Sequence, residues 1–434
     1  MQKLVRPLFF SFLFLTFAGS FALHLPSSSS IQLFALSFMG ASASYAAMAW
    51  VLFRVELSAK TLYTLLAISI VLRLSYVAIP PIGSEDLYRY IWDGKVQAHG
   101  VNPYLYAATD DRLAFLRSSL LPAALNHPDL KTIYFPFSEW VFFTSYLLSG
   151  EEVWGFKLMV LLAEIVTIAG LLVFLERLSI PIKFVLLYAA SPLPVIQFAV
   201  DGHLDAIGLP LLLFAIILFQ RGRTLASYLL LGLSISIKPV GLILLPAMFF
   251  HEKSPEARIR AISLPLLIFG FQFIPYVFTS NPFEMLLTFT KDWSFNGIVF
   301  EGLNFFLANN QTTRLICGAL LGLSVTLLAS KRLDLLDTFY FSILLLLLFS
   351  PVVHPWYVAW VAFMLPFVRR WSGITLISTV SLTSFTVMSY RLTGLWEQHP
   401  TILAVEYILV ILFLAVELRS SFKRNGISST ALIP

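Results

Sequence analysis

The densest run of side chains able to do chemistry is Gly83-Ser84-Glu85-Asp86-Leu87-Tyr88-Arg89-Tyr90-Ile91-Trp92-Asp93-Gly94-Lys95. A helix starting at Glu85 sets Asp86, Arg89 and Asp93 on one face, at i, i+3 and i+7. The run follows directly on an apolar stretch, so its carboxylates stand at a membrane boundary. A carboxylate there can act on a polar acceptor whose partner stays in lipid. The plain alternative is a solvated surface helix with local ion pairs.

Other groups sit on further turns. Asp201-Gly202-His203-Leu204-Asp205 has a spacing that invites a divalent metal. A helix cap at Asp201 with Gly202 in the turn, or polar contacts to a substrate, account for the same residues without one, and no metal is favoured. Lys238-Pro239 interrupts an apolar stretch. Proline breaks the helix there, and an intramembrane lysine needs water or an anion, so Lys238 suits a phosphate. His354-Pro355-Trp356-Tyr357 closes another span. An aromatic interface belt explains Trp356 and Tyr357 better than it explains His354. Asn102-Pro103-Tyr104, Asn126-His127-Pro128-Asp129 and Tyr134-Phe135-Pro136-Phe137 combine turn chemistry with candidate ligands, His127 among them. Lys291, Asp292, Glu301 and Asn304 complete the set. There is no Walker sequence, no dinucleotide glycine motif and no HExxH.

The elements that must position these residues are membrane helices. Of 434 residues, 58% are hydrophobic and 12% charged, against about 25% charged in soluble domains. With 40 Phe and 16 Tyr the chain is not disordered. Its single cysteine, Cys317, excludes a disulfide framework. Apolar runs near the roughly 20 residues a spanning helix needs occupy 5–23, 31–53, 61–79, 153–175, 183–200, 204–220, 260–279, 311–330, 335–353, 372–390 and 400–418, with a shorter one at 356–369. The first is read as an uncleaved helix rather than a signal peptide. The stretch 136–149 is short for a span and reads as interfacial or re-entrant, and 224–250 as a broken helix or a hairpin.

Charge gives the orientation. The net charge of +5 is not a nucleic-acid footprint, because it is sorted by membrane side. With the N-terminus cytoplasmic, that side collects 18 of the 29 Lys+Arg and 7 of the 24 Asp+Glu, a net +11 against −6 elsewhere. This is the positive-inside pattern. Two long connections, 80–135 and 281–310, then fall outside, and loops of such length usually carry function. No internal repeat is seen, so 1–434 reads as one transmembrane domain. Within it, 80–152 forms a first large extracytoplasmic loop with interfacial helices, and 281–310 a second.

The order E-D-L-Y-R-Y-I-W-D-G, G-V-N-P-Y, Y-F-P-F, G-H-L-D, I-K-P and H-P-W-Y resembles the integral-membrane GT-C glycosyltransferases. It is most similar to polyprenyl-phosphate-mannose-dependent mannosyltransferases of the bacterial lipoglycan type, and more distantly to the GPI mannosyltransferase I type. The resemblance runs from about 70 to 370 through short motifs. It implies an all-α polytopic fold of about 11–14 transmembrane helices with an extracytoplasmic catalytic loop. It also implies a lipid-linked sugar donor and no required cofactor or metal. The family's essential loop carboxylate maps onto Asp86. The GPI type carries a DxD where this chain has Ser84-Glu85-Asp86, so only the second Asp is matched and a DxD metal role is not carried over. Two apolar spans precede the one entering the loop, where many relatives have one.

The expected activity is therefore transfer of a sugar, mannose by resemblance, from a polyprenyl phosphate to a lipid or glycan acceptor, with inversion. The protein would be multi-pass in a bacterial inner membrane. Asp86 is the expected base, with Glu85, Arg89, Asp93, His127, His203, Asp205, Lys238, His354 and Tyr357 the expected substrate contacts. A secondary transporter shares many features, but no two-fold repeat of spans is seen and the polar residues gather at one face. A non-catalytic assembly subunit is the other alternative.

Overall fold

The computed structural model describes residues 2–22, 30–396 and 398–430, and these are helices and loops, with two isolated β-bridges from Phe295 and Asn296 to Val352. Residue 23, the end of the first apolar run, lies outside the described residues. Helices α1 (Gln2–Ala22) and α2 (Ser30–Leu52) form a hairpin, and α3 (Ala59–Ser75) follows. Ser58 caps α3 by accepting from the Thr61 N–H, which satisfies one of the orphan donors of the first turn.

The first long connection is folded. Helix α4 (Asp86–Ala98) packs against α5 (Pro136–Ser149), which leads into the long α6 (Trp154–Arg177). The contact between α4 and α5 depends on Gly94. A Cβ there would stand 2.3 Å from the Phe142 carbonyl oxygen. Tyr90 completes the seam, stacking on Phe142 with ring centroids 4.5 Å apart. Leu87, Arg89 and every residue from Tyr90 to Val96 are buried, so α4 is a packed element and not a solvated surface helix.

The run expected as one span at 183–200 is broken. Helix α7 (Leu186–Ala189) and the π-helical turn Pro194–Val200 belong to segments that meet at 58°. Pro192 and Pro194 remove two backbone donors at the bend, which is why a smooth helix cannot pass. Then α8 (Asp205–Gln220) and α9 (Thr224–Ile237) run antiparallel, with the Ser227 and Ser234 hydroxyls donating to the Ala215 and Gly208 carbonyls. After Lys238 the chain turns back through a short 3-10 segment into α10 (Leu245–His251). The Tyr228 hydroxyl near the start of α9 donates to Glu252 just past α10. The stretch 224–250 is thus a hairpin with Lys238 at its tip.

The remaining helices close the bundle. Helix α11 (Pro255–Phe271) packs on α9, and the short α12 (Ile274–Val277) leads to the second long loop, which contains α13 (Glu284–Asp292) and α14 (Ile298–Leu307). Then come α15 (Asn310–Ser330), α16 (Leu335–Phe349), α17 (Pro355–Val368), α18 (Trp371–Thr379), α19 (Ser384–Thr393) and α20 (Pro400–Thr430). From Val358 to Phe367 every residue of α17 is buried, as expected of a helix that is apolar all round. Among the described residues, five helices are long and apolar enough to cross a bilayer, or six if the bent pair counts as one span, and α8, α9, α16 and α17 are shorter apolar helices. Inside the bundle, Arg73 of α3 pairs with Glu164 of α6 at 2.6 Å, and the Tyr188 hydroxyl of α7 donates to the same carboxylate. That buried pair ties three elements together. Loss of one partner costs about 3–5 kcal/mol by leaving a charge uncompensated.

Candidate active site

The polar residues of the loop side converge below α4. Asp86 is its first residue, where the helix dipole favours a negative charge. One carboxylate oxygen accepts from the Asn126 side-chain amide at 2.8 Å, and the other stands 3.6 Å from Nδ1 of His203. The Asp86 side chain keeps 21% of its surface open, so a substrate can reach it. Burial raises its pKa above the usual carboxylate value, opposed by the Asn126 hydrogen bond and the positive charge of Lys238. Such a carboxylate is a stronger base than an exposed one.

Beside it lies a second charged pair. Nζ of Lys238, at the hairpin tip, is 3.8 Å from Oδ2 of Asp205, the first residue of α8. The other Asp205 oxygen accepts from the Trp360 indole of α17 at 2.8 Å. The ammonium also faces the rings of Tyr357 and Tyr134, at 5.4 and 5.8 Å from their centroids, which supports a desolvated cation. The hairpin explains this geometry. With α9 antiparallel to α8, its end reaches the level where α8 begins.

Stacked rings form the wall between these groups. His203 lies on Trp356 at 4.0 Å and His354 on its other side at 4.2 Å. Tyr357 sits edge-on to His354 at 5.7 Å. Both ring nitrogens of the buried His203 lack a hydrogen-bond partner among the described residues. Asp86, His203, Asp205, Lys238, His354 and Tyr357 therefore meet in one place, although they come from four separate stretches of chain.

Four placements differ from the grouping expected of the sequence. Asp201 does not cap α8. Its Oδ1 accepts from the Ile82 and Gly83 N–H groups at 3.0 and 2.7 Å, which pins the entry to the catalytic-side loop. Lys157, held by the Tyr76, Ile79 and Val200 carbonyls, supports the same junction. Asp201, His203 and Asp205 thus point to three different partners, and among the described residues no group of three or more His, Cys, Asp or Glu is arranged to hold a metal ion. Second, His127 is exposed with φ of 49°, and its neighbour Asn126 is the residue that reaches Asp86. Third, Glu85 is the exposed N-cap of α4 and makes no side-chain cap bond.

Fourth, Arg89 and Asp93 lie along the same face of α4 as Asp86 but do not join its contacts. They pair with each other at 3.4 Å, and Arg89 donates to the Leu130 carbonyl. Burial pushes Asp93 up to about 6, with Arg89 opposing. Nearby, Glu139 of α5 accepts from Thr132 at 2.6 Å and from Gln97 at 3.0 Å. This cluster staples α4, α5 and the loop together. Arg89 and Asp93 sit about one and two turns along α4 from Asp86, so distance along the axis, not angle, keeps the two groups apart. The residues that sequence reasoning passed over are Asn126, Trp356 and Trp360. Asn126 and Trp356 stood inside motifs already singled out, and Trp360 carried no signal.

A carboxylate at a partly open position, a half-buried cation beside it and a second carboxylate pairing that cation suit transfer of a group from an anionic leaving group to a hydroxyl. The family model described as alpha-(1->6)-mannopyranosyltransferase, N-terminal domain, matches residues 17–252. Among solved structures, ArnT from Cupriavidus metallidurans bound to undecaprenyl phosphate is similar at a TM-score of 0.47 and 16% identity, covering 85% of this chain and 73% of that one. No curated protein matches the chain.

Proposed function

Because the chain belongs to the alpha-(1->6)-mannopyranosyltransferase family, whose model spans more than half of it, we propose that this membrane glycosyltransferase moves mannose from a polyprenyl phosphate to a hydroxyl of a lipid or glycan acceptor. The observation that carries the proposal is the adjacency of a partly open, hydrogen-bonded Asp86 to the Lys238–Asp205 pair. Asp86 takes the proton of the acceptor hydroxyl as its oxygen attacks the anomeric carbon. The bond from that carbon to the phosphate oxygen breaks, and the polyprenyl phosphate leaves with the electron pair. Lys238 faces the departing phosphate, where fixed charge stabilises the transition state. One base on the attacking side corresponds to inversion, by analogy with inverting hydrolases.

Arg89 is held by Asp93 and the Leu130 carbonyl, so the phosphate falls to Lys238 with His354 beside it. The site then faces the extracytoplasmic side of a bacterial inner membrane, with the N-terminus cytoplasmic, as the charge sorting along the loops supports. The isoprenoid tail lies against apolar helix faces in the bilayer. The test is incubation of purified protein with radiolabelled polyprenyl-phosphate-mannose. Label should pass to an extractable lipid or polysaccharide, and should not do so with Asp86→Asn. Label that stays on the donor with every membrane acceptor fraction sinks the proposal.

A further inference from the structure

Every second residue of the turn Asp201–Asp205 reaches a different part of the site. Asp201 accepts from the Ile82 and Gly83 N–H groups just ahead of α4. Asp205 faces Lys238 and accepts from Trp360. His203, between them, stands with Nδ1 3.6 Å from Oδ2 of Asp86, the oxygen that Asn126 does not hold. Gly202 lets the turn press against α4: its φ is 75°, and a Cβ there would meet the Leu87 side chain at 3.3 Å. The turn is thus tied down on both sides of His203.

The transfer steps above leave His203 without a role. Its side chain is 1% exposed, too little surface to hold a substrate. Trp356 stacks on the ring at 4.0 Å with 19° between the planes, which fixes the ring's orientation. Neither ring nitrogen has a hydrogen-bond partner among the described residues. A buried polar group left so costs free energy, and a bond donated to Asp86 removes part of that cost. A neutral imidazole has one N–H to give, and each carboxylate oxygen has two lone pairs. Asp86 can therefore accept from Asn126 and His203 and still take a proton. Hydrogen bonds to a catalytic group are often long before substrate arrives and shorten in the reacting complex.

We propose that His203 is the positioning residue of the base: its Nδ1–H donates to Oδ2 of Asp86, as the Asn126 amide donates to Oδ1, and the two aim the carboxylate at the acceptor hydroxyl. This rests on the glycosyl-transfer reading above and adds a residue that acts through Asp86 without touching substrate. The bond favours the ionised carboxylate, so its loss raises the Asp86 pKa. The other charged groups facing Asp86 stay in place when residue 203 is changed. Lys238 favours the ionised form, and Glu85 and Asp205 oppose it. Asp201 and His354 share the same field, and the phenols of Tyr90, Tyr134 and Tyr357 facing Asp86 stay neutral at acid pH.

The test uses the full chain in nanodiscs with radiolabelled polyprenyl-phosphate-mannose and the membrane acceptor fraction. His203→Phe keeps a stacked ring and removes both nitrogens. It should lower kcat about tenfold, leave the donor KM within about twofold, and move the acid limb of the pH profile upward. His203→Asn brings an amide N–H near the place of Nδ1, and His203→Gln brings one near Nε2. The Asn variant should therefore recover the limb and most of the turnover, and the Gln variant should not. That comparison decides the matter if His203→Phe does not fold. Asn and Gln variants slowed alike, or none of the three slowed and the limb unmoved, overturn the proposal. So does a raised donor KM at unchanged kcat, which makes His203 a substrate contact. Infrared titration of the carboxyl C=O band that Asp86→Asn abolishes separates this from failure of the transfer reading. A midpoint raised in His203→Phe or His203→Gln, in a protein that moves no label, supports the positioning role and defeats the transfer reading. Transfer with midpoint and turnover indifferent to all three variants does the reverse.

Discussion

Lys238, at the break between α9 and its return segment, faces Asp205 at the start of α8 at 3.8 Å. Asp205 is fully buried and its Oδ2 has no hydrogen-bond partner among the described residues, so the ammonium is what compensates its charge. The lysine therefore holds two relationships at once, one with the protein and one with the proposed leaving phosphate.

That double role can be separated. Lys238→Met should destabilise the protein by about 3–5 kcal/mol, because Asp205 is left buried and unpaired. Adding Asp205→Asn should return most of the thermal stability without restoring donor affinity. The check is a melting curve in detergent beside the donor KM. Recovery of both in the double variant would show Lys238 to be structural only.

Asp86→Asn keeps shape and most hydrogen bonding but cannot take a proton. Turnover should fall by roughly 10²-fold or more, while donor binding stays near normal. The exposed Glu85 should tolerate change to Gln with a small effect. Full activity in Asp86→Asn, in Glu85→Gln and in the double variant moves the base elsewhere.

The pH profile reports the same carboxylate. Burial raises the Asp86 pKa, and the base works only when deprotonated. Activity should be present above that raised pKa and fall as pH drops through it, so the acid limb lies above the ordinary carboxylate range. Asn126 donates to the ionised form and lowers the pKa, so Asn126→Ala should move the limb to higher pH. A limb that stays in place would separate Asn126 from the titrating group.

Gly94→Ala tests the α4–α5 seam. The added methyl meets the Phe142 carbonyl, and overpacking of this kind costs about 1–3 kcal/mol. Because α4 carries Asp86, turnover should drop along with the melting temperature. Normal values of both would show that the seam yields.

Orientation is checked by thiol labelling, with Cys317 buried and so quiet. Cysteines placed at Asp110 and Ser294 should react with an impermeant reagent on intact cells, and those at Ser58 and Lys331 should not. Labelling at Ser58 without labelling at Asp110 reverses the topology.

Membership in the all-helical membrane class was legible in the residues themselves, because a bilayer demands long apolar runs and sorts Lys and Arg between its faces. The same is true of the breaks at Lys238-Pro239 and Ser191-Pro192, since proline's missing donor acts locally, although only the first was read as such. Local order could not show which polar groups meet. Asp86, Arg89 and Asp93 lie along one face of a helix, yet Asp86 meets Asn126 and His203 while Arg89 pairs with Asp93 and donates to the Leu130 carbonyl. Which neighbour satisfies a buried charge depends on how α4 docks on α5, and that is decided by the close approach at Gly94. His127 against Asn126 is the same lesson within one turn: both residues are polar, and the backbone conformation of the loop aims only one of them inward. The pairing of Lys238 with Asp205 and Trp360 joins α8, α9 and α17, and it exists because the hairpin returns its tip to the level where α8 begins. Contacts of that range arise from packing, and only the tertiary structure could supply them.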